Sequence, residues 1–305
     1  MDFSHPGKTH RQKIVNIPMA LLSVLIANYN NGHFFEEAYR SLLRQTSDQW
    51  EAIVIDDAST DNSVEVIQGL IRGDHRFRFY RNERNLGYQQ TLIRAIELSE
   101  AEIFGRLDPD DALYPEAVEL SLIEHKNYPE AGLIYSDITI CNEHLRILRH
   151  HKSFQINTLD EKYFLLAGEI GAFATFKKHI YHQAGGIDST IKRAEDIDIY
   201  IRMCEISPVR RIPQPLYYYR YLPNSLSKGE NQDRSYFWHW MTLIKTAERR
   251  NLDLENTFVQ NIGSRKKLQA YRDRVLYIKD LISKNKVLST IAMAAHKLGL
   301  TRHRI

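Results

Sequence analysis

Residues 21–57 read LLSVLIANYNNGHFFEEAYRSLLRQTSDQWEAIVIDD, and they contain two short apolar runs on either side of an amphipathic segment. The runs LLSVLIA (21–27) and EAIVI (51–55) are apolar at nearly every position, which is typical of strands that are covered on both faces. The apolar residues between the runs share one helical face: Phe34, Phe35, Ala38 and Leu42. The stretch therefore predicts a strand, a helix and a second, parallel strand.

The same alternation continues beyond this stretch. Its elements are, in order, a helical stripe at Val64, Ile67 and Ile71, the run FRFY at 77–80, a stripe at Leu92 and Ile96, and the run AEIFGRL at 101–107. The order β-α-β-α-β-α-β predicts an α/β fold with a Rossmann-like, doubly wound and mostly parallel sheet. Ligands of such sheets bind outside the carboxyl ends of the strands.

The charge of the chain is divided unevenly. Residues 231–305 hold 15 Lys and Arg against 6 Asp and Glu, a net charge of +9, while the preceding residues carry −6. No RNA- or DNA-binding motif accompanies the basic segment, so nucleic acid is not an expected partner. We predict a basic C-terminal helical extension, 230–305, with a solvated basic face and peripheral contact with a membrane surface as the two alternatives.

Two features bear on the cellular location. Cys141 and Cys204 have neither disulfide-framework nor zinc-ligand spacing, which favours a reducing compartment. No apolar run reaches the roughly 18 residues of a membrane span, and the start of the chain lacks the apolar core of a secretion signal. We expect a cytoplasmic protein, with peripheral attachment at the inner face of the membrane as the open alternative.

Polar residues follow three of the four predicted strands. They are Asn-Tyr-Asn at 28–30, Asp-Asp-Ala-Ser at 56–59 and Asp-Pro-Asp-Asp at 108–111. Because the carboxyl ends of parallel strands meet at one edge of the sheet, we expect these segments to converge on a ligand. Each segment alone has the alternative of capping the next helix through an Asn, Ser or Asp side chain.

The stretch RLDPDD (106–111) places three carboxylates within six residues. Closely spaced carboxylates repel one another unless a proton or a cation lies between them. Mg²⁺ or Mn²⁺ would relieve the repulsion, and such ions commonly use one or two protein carboxylates and leave positions for water and phosphate oxygens. A D-x-D pattern is common, so this stretch alone leaves a solvated loop as the alternative.

Taken in order, several motifs resemble the family 2 glycosyltransferases of the GT-A fold. Residues 23–63 are similar to the opening of that family, and RLDPDDALYP is similar to its DxD region. The resemblance continues through GLIYSD, AGGID, AEDIDIYIRM and PLYYYRYLPNSLS and covers about residues 20–228. It implies a GT-A type fold with an N-terminal extension (1–19), a nucleotide-sugar-binding half (20–112) and an acceptor-binding half (113–229).

The resemblance also assigns roles at the strand ends. Asn28, Tyr29 and Asp57 would contact the nucleobase and ribose of the donor. Asp108 would lie near the ribose or the metal, and Asp110 would bind Mn²⁺ or Mg²⁺ directly.

Four further residues have less direct roles by the same resemblance. Arg106 would approach the phosphates, with a strand-end arginine paired to a nearby Asp as the equal alternative. Arg220 and Ser225 lie in PLYYYRYLPNSLS, which folds back near the diphosphate in relatives. Asp111 is expected to cap a helix or to support the metal ligands.

The pair Glu195-Asp196 precedes a helical stripe in the second half of the chain. Inverting transfer needs one base to take the proton of the attacking acceptor hydroxyl, because a metal-bound diphosphate leaves without protonation. By similarity to the ED motif of the family, Asp196 is the expected base and Glu195 its supporting neighbour. The alternative is that both acids only stabilise a helix N-terminus. Asp137 is expected to bind the sugar or acceptor, with a simple strand-end role as the alternative.

The chain departs from the family pattern at two places that bear on the site. Many members carry an Arg-Asn pair where this chain has Leu92 and Ile93, so that polar support is missing or comes from elsewhere. Some members carry a histidine where this chain has Leu222, so the metal has fewer protein ligands or a histidine arrives from another segment. The tyrosines Tyr217, Tyr218 and Tyr219 could stack on a sugar or pack in the core.

The sequence thus predicts an inverting, metal-dependent glycosyltransferase. It would move a sugar from a nucleotide-sugar, above all a UDP-sugar, to a carbohydrate or lipid-linked acceptor in surface polysaccharide or glycoconjugate synthesis. A nucleotidyltransferase of similar fold stays open, although it would carry a basic, glycine-rich loop where this chain has NYNNG. A non-catalytic carbohydrate-binding relative also stays open, although it would need neither Asp110 nor Asp196.

Overall fold

The first four strands of the structure, a computed structural model, are those that the apolar runs predict. They are β1 (Leu22–Asn28), β2 (Trp50–Asp56), β3 (Phe77–Arg81) and β4 (Ile103–Arg106). All are parallel, and they lie in the order β3-β2-β1-β4. Every residue of β1 and β2 is buried, as expected for strands that are covered on both faces.

Helices connect these strands and cover the sheet. They are α1 (Phe35–Leu43), which follows a 3-10 turn at Gly32–Phe34, α2 (Ser63–Ile71) and α3 (Tyr88–Leu98). The predicted stripes face the sheet, since Phe35, Ala38 and Leu42 are fully buried. Gly32 allows the 3-10 turn to approach α2, because a Cβ there would lie 2.4 Å from the Cα of Ser63.

The second half of the chain extends the same sheet with mixed strand directions. Its elements are β5 (Ala112–Leu113), α4 (Ala117–Asn127), β6 (Leu133–Cys141), β7 (Ile147–His151), β8 (Gly171–Lys177), α5 (Lys178–Gln183), α6 (Glu195–Ile206) and β9 (Val209–Arg220). The order continues from β4 as β8-β6-β9-β5, and β7 pairs with β6. Strand β8 is antiparallel to β4 and β6, whereas β9 runs parallel to β6. The fold is therefore a mixed, mostly parallel α/β sheet, which confirms the predicted class.

The pairing of β5 with β9 matters most for function. Ala112 lies opposite Tyr218, and Leu113 lies opposite Tyr217. Residues 108–111 form an aspartate-rich turn that directly precedes β5. The pairing therefore brings Arg220, at the end of β9, next to this aspartate-rich turn.

The structure describes residues 20–157, 159, 170–222, 231–253 and 255–256, and single positions at 273, 276, 277, 280 and 284. Helix α7 (Gln232–Arg249) follows the sheet. The chain groups into two compact units, Met1–Thr246 and Ala247–Ile305. The predicted extension 1–19, Ser225 and most of the basic C-terminal segment lie outside the described residues. No helix in the described part of the chain is both long and apolar enough to cross a bilayer.

Candidate active site

A cleft of about 1330 Å³ opens at the carboxyl ends of β1, β2 and β4. All three predicted polar segments contribute to its walls, and so does the start of α6. Ten residues that carry these walls are Asn28, Tyr29, Asp57, Arg106, Asp108, Asp110, Asp111, Glu195, Asp196 and Arg220. Side chains from residues 28 to 220 thus meet in one hollow, as the strand-end argument predicts.

Asn28 lines the cleft at the end of β1, and the buried Asp56, at the end of β2, supports it. The fully buried Asp56 carboxylate accepts hydrogen bonds from Asn28 Nδ2 (2.9 Å) and from the Ser59 hydroxyl (2.5 Å) and backbone N–H (2.9 Å). These bonds fix the orientation of the Asn28 amide. Its Oδ1 is buried without a hydrogen-bond partner in the structure. An orphaned buried acceptor at a cleft wall is a place for a ligand N–H.

Asp57 organises the rim of the cleft. Its carboxylate accepts hydrogen bonds from Asn82 Nδ2 (2.7 Å) and from the backbone N–H groups of Leu86 (2.8 Å) and Gly87 (2.9 Å). Arg94 of α3 donates in turn to Asn82 Oδ1. Asn82, which follows β3, and Arg94 of α3 therefore support this carboxylate. They supply the Asn and Arg groups that are missing at Leu92, which packs in the core.

The aspartate-rich turn is closed by a hydrogen bond from the Asp111 N–H to the Asp108 carbonyl (3.0 Å). Tyr88 donates its hydroxyl to Asp108 Oδ1 (2.6 Å). Burial and then the charge of Asp108 raise the pKa of Asp110 to about 6. Burial followed by the charges of Asp110 and Asp108 raises the pKa of Asp111 well above its usual range. The turn thus concentrates negative charge that nearby protein cations only partly offset.

Asp111 does not cap a helix, which corrects that alternative. Its Oδ1 accepts the backbone N–H of Arg220 (2.7 Å), and α4 begins without a side-chain cap. Asn30 likewise bonds the backbone N–H of Thr60 (2.8 Å) rather than the start of a helix. Asp61 does accept the N–H of Ser63 at the first turn of α2 (2.9 Å).

Arg220 lies beneath the aspartate-rich turn. Its side chain is 1% exposed; Nε donates to the Asp110 carbonyl and Nη1 to the Glu143 carbonyl. The guanidinium also stacks 4.5 Å from the ring of Phe34 and lies 4.0 Å from the Glu37 carboxylate. Arg220 therefore holds the turn in shape, while its predicted contact with a diphosphate stays a prediction.

Arg106 connects the turn to α6. It lies between Asp108 (3.5 Å) and Glu195 (3.6 Å), with the ring of Tyr88 at 5.7 Å. Burial has the largest single effect and lowers the pKa of Arg106, but the surrounding groups, Asp108 first among them, together outweigh it, and the net pKa is raised well above its usual value. Arg106 is thus a permanent cation between two acidic groups of the cleft.

Glu195 and Asp196 form the first turn of α6 and face the cleft. The positive φ of Gly185 and Gly186 (88° and 66°) forms the tight turn ahead of them. Gln89 Nε2 lies 3.3 Å from Glu195 Oε2, and Asp196 Oδ1 accepts the backbone N–H of Ile197 (2.8 Å). An apolar cavity of about 40 Å³ adjoins both acids. Burial and then Asp196 raise the pKa of Glu195 to about 7, so this group holds its proton close to neutral pH.

The raised pKa of Glu195 predicts a pH-dependent loss of stability. The unfolded Glu ionises near pH 4.5 and the folded one near 7, so the folded state loses stability as the pH rises between these values. The loss amounts to about 3 kcal/mol, since one pKa unit corresponds to about 1.4 kcal/mol. We expect the urea midpoint of Glu195→Gln to fall less between pH 5 and pH 8 in EDTA than that of the parent, because only the contribution of Glu195 is removed and the raised pKa values of Asp110 and Asp111 remain. Glu65→Gln, at an exposed site, should keep the parent pH dependence; the same result for Glu195→Gln would contradict the assignment.

Asp137 lies in the middle of β6 rather than at a strand end, beside an irregularity in the pairing with β9. Its two oxygens accept Arg211 Nε (2.8 Å) and Nη2 (2.6 Å), and Oδ1 also accepts the N–H of Ser153 (2.9 Å). Asp137 is 8% exposed and is not among the residues that line the cleft. The geometry favours a structural ion pair, and acceptor binding by Asp137 stays a prediction.

Removing this ion pair is expected to destabilise the fold strongly. Asp137→Ala leaves the Arg211 guanidinium, 11% exposed, without its partner, and breaking a buried pair costs about 3–5 kcal/mol. Glu36→Ala removes an exposed partner of Arg40 and should cost less than about 1 kcal/mol. Urea unfolding curves measure both. An Asp137→Ala protein that is as stable as Glu36→Ala would contradict the structural role.

Residues 23–185 match the sequence profile of the family Glycosyl transferase family 2. The chain belongs to this family. Chondroitin synthase of Escherichia coli is 26% identical to this family 2 chain over 211 residues, which cover 69% of the chain and 29% of the relative. Hyaluronan synthase of Pasteurella multocida is 25% identical, with 69% and 21% covered. The chain spans about a third or less of the length of these relatives.

The solved structure of S. aureus TarS residues 1–349 in complex with UDP-GlcNAc aligns with this family 2 chain at a TM-score of 0.58. The alignment covers 81% of this chain and 77% of the TarS chain at 15% sequence identity. The likeness confirms the GT-A type fold.

Sequence reasoning missed several residues that the fold brings to the site. Tyr88, Gln89 and Asn82 support the acidic groups, but they belong to no recognisable motif. Phe237, Trp238 and His239 of α7 line the cleft, although the sequence predicted only a basic helical extension for this segment. Since aromatic residues mark both cores and ligand surfaces, only their position could distinguish the two.

Proposed function

We propose that this chain is an inverting, metal-dependent glycosyltransferase. It transfers a sugar from a UDP-sugar to a carbohydrate or lipid-linked acceptor in the synthesis of a surface polysaccharide or glycoconjugate. The observation that carries the proposal is that the aspartate-rich turn and the acids of α6 face one cleft and are joined by Arg106. The names of the relatives, chondroitin synthase and hyaluronan synthase, support a role in the synthesis of a polysaccharide.

The nucleotide half of the donor binds at the ends of β1 and β2. The unpartnered Asn28 Oδ1 accepts an imide N–H of the base, which uracil offers and cytosine in its neutral form does not. Tyr29 is 46% exposed at the wall and offers a ring face for stacking. The rim that Asp57 holds in place closes over the ribose. TarS has been solved with UDP and with UDP-GlcNAc, which supports a uridine donor.

Asp108 and Asp110 fit a divalent cation. They offer oxygen ligands in a crowded acidic turn, which is the donor chemistry that Mn²⁺ and Mg²⁺ require. The described residues contain no cluster of three or more His, Cys, Asp or Glu that could cage an ion. Two carboxylates leave the remaining positions to water and to the donor diphosphate. When bound, the cation supplies positive charge that stabilises the departing diphosphate.

The remaining chemistry falls to residues of this chain. The oxygen of the acceptor hydroxyl attacks the anomeric carbon, and Asp196 takes the proton of that hydroxyl during the attack. The bond from that carbon to the diphosphate breaks on the opposite face, so the configuration inverts. Arg106 lies 3.6 Å from Glu195 and 3.5 Å from Asp108, so its positive charge offsets the negative charge of these acids next to Asp196.

The two other classes find less support. A nucleotidyltransferase would place a cationic loop behind β1, yet residues 28–34 contain neither Lys nor Arg. A non-catalytic binder would have no use for both Asp110 and Asp196 at one cleft.

A thermal-shift panel tests the proposal. A ligand that binds only the folded state raises its stability, and a concentration of 100 times Kd is worth about 2.7 kcal/mol. We expect UDP-sugars with Mn²⁺ to raise the Tm by roughly 5 °C or more, and to do less in EDTA. GDP-mannose, ATP and CTP serve as comparisons. A larger shift with ATP or CTP than with every UDP-sugar would favour the nucleotidyltransferase instead.

A further inference from the structure

Helix α7 presents aromatic side chains to the cleft. Phe237, Trp238 and His239 line it, whereas the neighbouring Tyr236 does not. Phe237 is 55% exposed, and its ring lies 5.4 Å from that of Trp238 at an angle of 83°. Large aromatic rings left exposed inside a cleft commonly mark a surface that a ligand covers.

We propose that Phe237 and Trp238 form the platform on which a sugar ring of the acceptor stacks. This inference rests on the proposed function and adds to it the residues that select the acceptor. A pyranose ring has an apolar face of C–H groups, and an aromatic ring is its natural partner because it offers a flat apolar surface at little cost in side-chain entropy.

The platform and the base, Asp196, line the same cleft. Burial lowers the pKa of His239, and the negative charge of Asp196 acts in the opposite direction, so His239 is close enough to Asp196 to feel its charge. Phe237 and Trp238 are the two residues that precede His239 on the helix. A sugar that stacks there would therefore present a hydroxyl near Asp196.

The polar walls of the cleft are unsuited to this task, and Tyr219, which also lines the cleft, packs partly against the core. The walls at Asn28 and at the aspartate-rich turn are polar or charged and serve the nucleotide and diphosphate. Two of the tyrosines considered from the sequence are occupied, since Tyr217 is 1% exposed and Tyr218 stacks on Tyr114 at 4.0 Å. The aromatic surface of α7 remains for the acceptor.

Helix α7, which carries the platform, is anchored to the loop that precedes α6. Lys245 Nζ bonds Asp188 (2.6 Å) and Thr190 (2.9 Å), and both of these residues belong to the loop that leads to α6. Thr242 and Leu243 are buried. Helix α7 thus contacts the loop that leads into the base-bearing helix, and this contact would hold the rings in place relative to Asp196, as a transferase requires of its acceptor site.

The test uses Phe237→Ala, Phe237→Leu and Trp238→Ala in the full chain. Tyr236→Ala is the matched control, because Tyr236 is equally exposed (56%) on the same helix but lies outside the cleft. Phe237→Leu keeps an apolar side chain and removes only the ring. Each protein, with UDP and Mn²⁺, is applied to a printed array of bacterial polysaccharide fragments, and its Tm shift with UDP-GlcNAc is recorded.

We expect the parent and Tyr236→Ala to bind the same glycans. The three cleft variants should bind them roughly tenfold more weakly, the loss of a substantial contact, with an unchanged Tm shift by the donor. Equal binding by parent and cleft variants, equal losses in Tyr236→Ala, or no glycan bound by the parent would overturn the platform. So would a change from dimer to monomer in Phe237→Ala, since the rings would then contact a second copy. Absence of any donor shift in the parent would instead contradict the proposed function.

Discussion

Replacing Asp196 by Asn is expected to lower the rate of sugar transfer by on the order of 10³-fold while the protein still binds its donor. Asparagine has the same shape but cannot accept the proton of the acceptor hydroxyl at neutral pH. The Asp196 carboxylate lies in the first turn of α6 at the cleft. The backbone N–H of Ile197 donates a hydrogen bond of 2.8 Å to one of its oxygens. The amide oxygen can keep that bond, so the helix should start as before.

The measurement compares UDP release in the presence of acceptor with donor affinity from titration calorimetry. Asp233→Asn is the control, since Asp233 also lines the cleft but lies on α7 and is exposed. Glu195→Gln separates the two acids. Full turnover in Asp196→Asn together with a loss in Glu195→Gln would make Glu195, whose pKa is raised to about 7, the base.

Asp110→Ala is the second variant with a large expected effect. It removes a proposed metal ligand, so donor affinity in Mn²⁺ should fall roughly 100-fold, equivalent to about 2.7 kcal/mol. In EDTA the variant should be no less stable than the parent. The reason is that Asp110 has a pKa raised to about 6, and its ionised form is therefore unfavourable in the folded protein above that pH.

This combination distinguishes a metal ligand from a structural residue. Titration calorimetry with a UDP-sugar in Mn²⁺ gives the affinity, and urea unfolding in EDTA gives the stability. Asp233→Ala should change neither. Unchanged affinity in Mn²⁺ would remove Asp110 from the metal site, and a large loss of stability in EDTA would show that the turn depends on its side chain.

The doubly wound half of the fold could be predicted from the sequence because its signals are local. The runs at 21–27 and 51–55 are apolar at nearly every position, and only a strand covered on both faces needs that. Stripes such as Phe35, Ala38 and Leu42 identify the covering helices in the same way. The strand order β3-β2-β1-β4 has no such local signal and came from the structure.

Strand ends explain why part of the site was also predictable. Segments 28–30, 56–59 and 108–111 converge because parallel strands end at one edge of the sheet. Their chemistry, however, depends on partners that lie far away in the chain. Asp57 holds backbone N–H groups of Leu86 and Gly87, and Asp111 holds that of Arg220, and neither pairing has a local signal.

Three outcomes required the tertiary structure. Asp137 resembles a site residue by its position behind GLIY, yet Arg211 occupies both of its oxygens. Arg220 resembles a phosphate contact by its motif, yet its guanidinium is buried under the turn. The aromatic run of α7 contains no motif that marks a site, yet Phe237 remains 55% exposed and lines the cleft.

The sequence by itself determined the class of sheet and the edge at which ligands bind, because apolar periodicity and strand-end position are properties of short segments, whereas the acids of the proposed chemistry were assigned by the resemblance to the family. Only the tertiary structure decided which polar groups are already satisfied by the protein and which remain for a ligand. That distinction depends on contacts between residues about a hundred positions apart, such as Asp111 with Arg220, and no short segment contains both partners.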